Sequence, residues 1–151
     1  MKQVMTWDEW ATCDATALAD LIKHGEVTAA EIAGQAKLAT EKVNPSLNAV
    51  VELFEDAITA PFAEGTNAQG PFAGVPLLIK DLGPGVKGRL QEQGSKFFKG
   101  FRQTSDAFLT TKIRQSRLNI IGRSATPAFG VASAAGNPAI SVVRNPWSTD
   151  Y

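Results

Sequence analysis

Histidine and cysteine are nearly absent from this chain, which has one of each, His24 and Cys13, among 151 residues. A histidine-centred triad or a site with several histidine ligands cannot be built from that inventory, and zinc clusters need more thiolate and imidazole donors. Cys13 has no second cysteine for an internal disulfide, which fits a reducing compartment. His24 stands just before Gly25 at a predicted helix end, where a cationic ring serves the negative pole of the helix; that role is favoured over catalysis. A charge surplus is lacking too. Fifteen Lys and Arg balance fifteen Asp and Glu, without a dense basic run, so neither nucleic acid nor an anionic membrane surface is an expected partner. No apolar stretch approaches the length of a membrane span, and the first residues lack a charged-then-apolar leader pattern. The expectation is a soluble cytoplasmic protein with no metal or other cofactor. Any acid–base chemistry falls to another residue type.

What is present is enough for one ordinary domain, with a hydrophobic fraction of 44% and room for a packed core. Thr6-Trp7-Asp8-Glu9 fits a capping box, with Met5 and Trp10 placed as a hydrophobic staple. The helix it opens keeps Leu18, Leu21 and Ile22 on one face and ends at Gly25. Cys13 falls inside it as a small packing residue. Thr28-Ala29-Ala30-Glu31 is a second capping box, with a staple from Val27 to Ile32. Its helix carries Ile32, Ala36, Ala39 and Val43 along one side, and Asn44-Pro45 is expected to stop it.

Leu47 to Phe54 has the content of a strand, and Glu55 to Phe62 of one or two helical turns. Ala63 to Gly70 reads as a polar surface loop. Val75 to Ile79 is a short apolar run between glycine–proline turns, a buried strand that ends in Lys80 and Asp81. Gly83-Pro84-Gly85 and Gly88 then force an irregular loop. Thr104-Ser105-Asp106 starts a helix with Leu109 and Ile113 on one face, and Leu118 to Ile121 is a second apolar run ending at Gly122. Strand, loop, helix, strand is the βαβ pattern of a parallel or mixed sheet with covering helices, an α/β class. From Arg123 to Gly136 small residues dominate, suited to a site wall or to tight packing.

Lys80 is the anomaly. Burying an ammonium without a partner is costly, so Lys80 is either paired and structural or wanted for chemistry. A desolvated amine has a lowered pKa and can take a proton from a serine hydroxyl and return it to a leaving amine. Asp81 is the obvious partner for a salt bridge, yet adjacent strand residues point to opposite faces. The residues alone leave both readings open.

Gly74-Val75-Pro76-Leu77-Leu78-Ile79-Lys80-Asp81 resembles the lysine motif of the amidase signature family. Asp106-Ala107 at a helix start, Gly122-Arg123-Ser124-Ala125-Thr126-Pro127-Ala128-Phe129-Gly130, and Arg144-Asn145-Pro146-Trp147 resemble further segments of that family in the same order, as do the helices from Leu18 to Asn48. Within the family the chain resembles bacterial amidases of the kind that hydrolyse cyclic dimers of 6-aminohexanoate. The resemblance implies the amidase-signature fold, a mixed sheet covered by helices. It also implies cleavage of a small-molecule amide by a serine–cis-serine–lysine triad, with Lys80 as the catalytic lysine. It further implies that residues 1–151 are the N-terminal part of a single amidase domain, ending before the glycine–serine-rich segment that carries both serines and the oxyanion donors. On this view the chain by itself is inactive. Ser124, Ser133, Ser141 and Ser148 do not sit in the glycine-rich turn that exposes a nucleophile, and Ser95 after Gly94 reads as a loop-forming residue.

Three departures from the family pattern stand out. Ala125 and Ala128 replace an amide and a carboxylate, and Arg117 replaces a helix-ending glycine, which in left-handed backbone carries a strain of roughly 1 kcal/mol. Two other readings are the A component of a tRNA-dependent amidotransferase and a non-catalytic remnant that binds a partner through an unclosed sheet edge.

Overall fold

Why the first helices begin and end where they do is visible in their caps. The computed structural model describes residues 2–62, 70–131, 136–137 and 141–150; the loop expected over 63–69, Ala132, Ser133, Ala134, Ala135 and Tyr151 lie outside the described residues. The Thr6 hydroxyl accepts from the Glu9 N–H and the Glu9 carboxylate accepts from the Thr6 N–H at 2.7 Å, opening α1, Trp7–Thr12. The single helix expected from Thr6 to Gly25 is in fact two. Cys13 is extended and the Asp14 side chain accepts from the Ala17 N–H, so α2, Ala15–Lys23, starts afresh. A carboxylate that caps the next turn competes with helix continuation. At the far end Gly25, at φ +73°, takes the left-handed position. Its N–H donates to Ile22 O and that of Glu26 to Leu21 O, the paired bonds of a Schellman cap.

Thr28 and Glu31 form the second capping box, with bonds of 2.7 to 3.2 Å, at the head of α3, Ala29–Leu47. Thr28→Ala should lower stability by ~1 kcal/mol, read as a shift in the urea midpoint. The proline stop expected at Asn44-Pro45 does not operate: Pro45 lies inside α3, and Val43 is exposed. The helix runs two residues further, to Leu47, and is followed by Asn48 at φ +54°, whose N–H donates to Asn44 O. Asparagine is one of the few side chains that tolerates this backbone. Asn44 is used instead as a clasp, donating to Val50 O and accepting from the Val50 N–H at 2.9 and 2.8 Å.

Three strands form one sheet in the order β1-β3-β2: β1 is Val50–Leu53, β2 is Pro76–Lys80 and β3 is Asn119–Ser124. Between β1 and β2 lies α4, Glu55–Thr59. The hydrogen bonds at the strand ends set the directions. The Asn119 N–H donates to Val75 O and the Asp81 N–H to Ser124 O, so β2 and β3 rise together and are parallel. The Phe54 N–H donates to Ile121 O and the Ala125 N–H to Ala49 O, so β1 runs against β3. The sheet is therefore mixed, and β2, α5 (Phe108–Gln115) and β3 make the expected crossover unit. β3 is buried from Asn119 to Arg123, as a central strand should be. It continues past Gly122, where the sequence reading ended it. In α5 the inward residue is Thr110, fully buried and donating to Gly85 O at 2.8 Å, whereas Leu109 is exposed. The Asp106 carboxylate accepts from the Lys87 N–H rather than belonging to the helix. A two-stranded antiparallel pair, β4 (Gly136–Asn137) and β5 (Ser141–Val142), follows.

The chain forms two compact units. The first comprises Met1–Lys42, Leu53–Leu77 and Lys112–Ile121. Its core is Leu18, Ile32 and Val75, against which Met5, Trp10, Cys13 and Val27 pack. Both staples thus close on this core, and Cys13 is the packing residue its sequence context suggests. Buried Gln35 holds the N-terminal segment, accepting from the Val4 N–H and donating to Met5 O. Gly74, at φ +83°, is obligatory there, since a Cβ would fall 2.4 Å from that of Ala29. Arg117 has φ +70°, the strained position inferred for it, and its carbonyl accepts from the Gly74 N–H. The second unit comprises Val43–Glu52, Leu78–Thr111 and Gly122–Tyr151, and it contains Lys80. Among the described residues no helix is long and apolar enough to cross a membrane.

Candidate active site

Lys80 closes β2, and its exposure follows from strand alternation. Ile79 and Asp81 on either side are 7% and 3% exposed, so the pleat turns Lys80 to the open face. Lys80 is therefore exposed, not the buried cation that the apolar run suggested. Asp81 is not its partner either. That carboxylate points inward and meets Arg123, Nη1 to Oδ1 at 2.8 Å.

Arg123 is the buried cation of this unit. It is 5% exposed in the middle of the sheet. Its Nε donates to Glu52 at 2.7 Å, its Nη1 to Asp81 at 2.8 Å and its Nη2 to Glu92 at 2.8 Å. A planar guanidinium fork with five donors holds three carboxylates in fixed directions, which the freely rotating ammonium of a lysine does not. Burial opposes the charge on Arg123, but the bonds to Glu92, Asp81 and Glu52 outweigh it and raise its pKa further above the ordinary arginine value. Burial likewise works against the Glu92 carboxylate, yet the Gly100 N–H and the Arg123 guanidinium hold its pKa below the usual glutamate value.

The sign of that shift gives a pH dependence. A carboxyl whose folded pKa is depressed adds stability above its unfolded pKa, about 4.3, and loses it as pH falls through the folded value. The melting temperature should therefore be flat from neutrality to about pH 5 and fall in more acid solution. Glu92→Gln should flatten that fall in thermal melts followed by circular dichroism.

Asp81 joins the network to a loop. Besides Arg123 its carboxylate accepts the Glu92 N–H at 2.8 Å and the Gly94 N–H at 3.2 Å, and its carbonyl accepts the Gln93 N–H at 3.1 Å. From the other side Phe129, at φ +53°, donates its N–H to Gln93 O. Gly94 lets this happen: a Cβ there would lie 2.4 Å from Thr126 O. Phe98, in the turn Lys96–Phe98, meets the edges of Phe97, Phe101 and Phe129 at centroid distances of 5.3, 5.6 and 5.9 Å. Ser95 caps that turn by accepting from the Phe97 N–H, the loop-forming part expected of it.

Of the other serines weighed as nucleophiles, Ser124 and Ser148 take backbone bonds in β3 and in the Asn145–Ser148 bridge. Ser133 and the side chain of Ser141 lie outside the described residues. Among the described residues no group of three His, Cys, Asp or Glu side chains is arranged to hold a metal ion; Glu52, Asp81 and Glu92 are instead shared by Arg123. Sequence reasoning missed this arginine cluster although the signal was present. The buried cation that needs partners is Arg123, after Ile120-Ile121-Gly122, and not Lys80.

An α/β unit with a parallel strand pair and a lysine at the carboxyl end of the outer strand is what this geometry defines, and residues 33–151 match the amidase family. The chain belongs to that family. It is 34% identical over 151 residues to the 6-aminohexanoate-cyclic-dimer hydrolase of Paenarthrobacter ureafaciens, a match that takes in 98% of this chain and 29% of the relative. A solved structure of a 6-aminohexanoate cyclic dimer hydrolase with substrate superposes with a TM-score of 0.82 at 34% identity, covering 91% of this chain and 28% of the other. The A component of the glutamyl-tRNA(Gln) amidotransferase of Mycobacterium tuberculosis is 31% identical over 144 residues, with 91% of this chain and 29% of the relative covered. The chain thus spans about three tenths of the length of the curated relatives it matches.

Proposed function

We propose that this chain supplies the lysine of an amide hydrolase working through a serine–cis-serine–lysine triad, and that Lys80 is that lysine. The observation that carries the reading is position. Within the family-matched region, Lys80 is exposed at the C-terminal end of β2, whose neighbour β3 is parallel, and α/β sheets gather their ligands beyond the carboxyl ends of such strands. In its neutral form the amine there takes a proton from the bridging serine, which takes one from the nucleophilic serine. The nucleophile attacks the amide carbon, backbone N–H groups hold the oxyanion, and the proton returns to the leaving amine as the C–N bond breaks; water then attacks the acyl-enzyme, releasing the acid and restoring the serine. Residues 1–151 are then the N-terminal part of a single amidase domain, and the serines and oxyanion donors lie beyond residue 151. The substrate is a small-molecule amide, the reaction needs no cofactor, and the enzyme works in the cytoplasm.

The test sets the complete reading frame beside the 151-residue chain and measures amine release from simple amides, including the cyclic dimer of 6-aminohexanoate. Hydrolysis by the complete protein alone is the expected result. Equal hydrolysis by the short chain, or a folded complete protein that cleaves none of the amides, overturns the reading. A second reading, the A component of an amidotransferase, is favoured by the 31% identity to such a protein. Co-purification of a second polypeptide with the complete protein would select it, and hydrolysis of simple amides by the isolated protein would count against it.

A further inference from the structure

We propose that Asp81, clamped by Arg123, is the positioning residue that fixes the direction of Lys80. The proposal rests on the reading of Lys80 as the base but is testable apart from it. β2 is an edge strand in the described sheet, bonded along one side by β3. The end of an edge strand frays unless something holds its other side. Here the hold comes from Asp81. The peptide N–H between Lys80 and Asp81 donates to Ser124 O at 3.0 Å, and the Asp81 carbonyl accepts from the Gln93 N–H at 3.1 Å, so the peptide groups on both sides of Asp81 are fixed.

The carboxylate is fixed as firmly, by Arg123 Nη1, the Glu92 N–H and the Gly94 N–H. Neighbouring strand residues leave the pleat on opposite faces. Pinning the Asp81 side chain inward therefore pins the Cα–Cβ bond of Lys80 outward. Only that root direction is under backbone control, because the four torsions of the lysine stem are soft. Burying the Arg123–Asp81 ion pair is no better for stability than an apolar plug of the same volume. What the cluster adds is a defined geometry at the residue next to the lysine.

Two readouts in the complete protein test this. The first is inactivation by phenylmethanesulfonyl fluoride, whose maximal rate reports how readily the serine is deprotonated. The second is ¹³C reductive methylation, which gives each lysine an NMR signal; the Lys80 signal is assigned by its loss in Lys80→Arg. Asp81→Asn keeps the shape but turns an amide donor toward the Gly94 N–H. It should lower the maximal inactivation rate by about 100-fold with the inhibitor constant unchanged, and collapse the Lys80 signal toward that of free methylated lysine. Arg123→Lys, which keeps the charge and loses the fork, should do the same and serves if Asp81→Asn does not fold. A folded variant with the wild-type inactivation rate and an unmoved Lys80 signal overturns the proposal. If Lys80→Ala is inactivated at the wild-type rate, the base assignment fails, and the NMR signal still decides whether Asp81 positions the lysine.

Discussion

Lys80→Ala in the complete enzyme should lose amide hydrolysis by about 10³-fold or more while its melting temperature stays where it was. The two halves of that expectation have separate grounds. Loss of turnover follows from removing the only group proposed to take the proton from the bridging serine. The other half follows from exposure within residues 1–151: Lys80 is on the open face of β2, so truncating it opens no cavity in this part of the protein. Steady-state hydrolysis and a thermal melt on the same preparation check both. Near-normal turnover would mean that another group serves as the base. Lost turnover with a lowered melting temperature would mean that Lys80 is structural.

Arg123→Met should have the largest effect on stability, a loss of about 3–5 kcal/mol seen in the urea midpoint. Methionine fills much of the space, so the cost is not chiefly a cavity. It comes from Asp81, 3% exposed, and Glu92 left without the cation they share. The ion pair of Lys37 with Glu55 makes the contrast. At 2.6 Å it is as short as any bond of the arginine cluster, but the Glu55 side chain is 60% exposed. Water screens such a pair, and its loss should be hard to detect. Distance does not decide between the two; burial does. Replacing Glu52, Asp81 and Glu92 by their amides together with Arg123→Met should restore part of the lost stability, because it removes the stranded charges as well as their partner.

Local chemistry is the legible part of this sequence. The two Thr-x-x-Glu boxes, the glycine that ends α2, the apolar runs of β2 and β3 and the crossover between them are settled by residues within a turn or two of one another. The differences arise where a side chain has a local choice that the pattern does not weigh. Asp14 caps a new helix, and Asn44 clasps β1 while α3 runs on through Pro45. At the candidate site the position of Lys80 is readable, but its surroundings are not. Which of two neighbouring charged residues turns inward depends on partners at Glu52, Glu92 and Arg123, and no local pattern brings those together.

The arginine cluster also has a consequence for how the chain reaches this state. Its three ion pairs join residues 71, 42 and 31 positions apart, so each closes a long loop before it gains anything. Contacts of that separation are expected to form late in folding, after the capped helices. Substitutions at Arg123 should then speed unfolding and leave the refolding rate nearly untouched, whereas Thr28→Ala, in a local turn, should act on refolding as well. What holds the lysine strand in place would thus govern chiefly how long the folded chain persists, and only weakly how fast it forms.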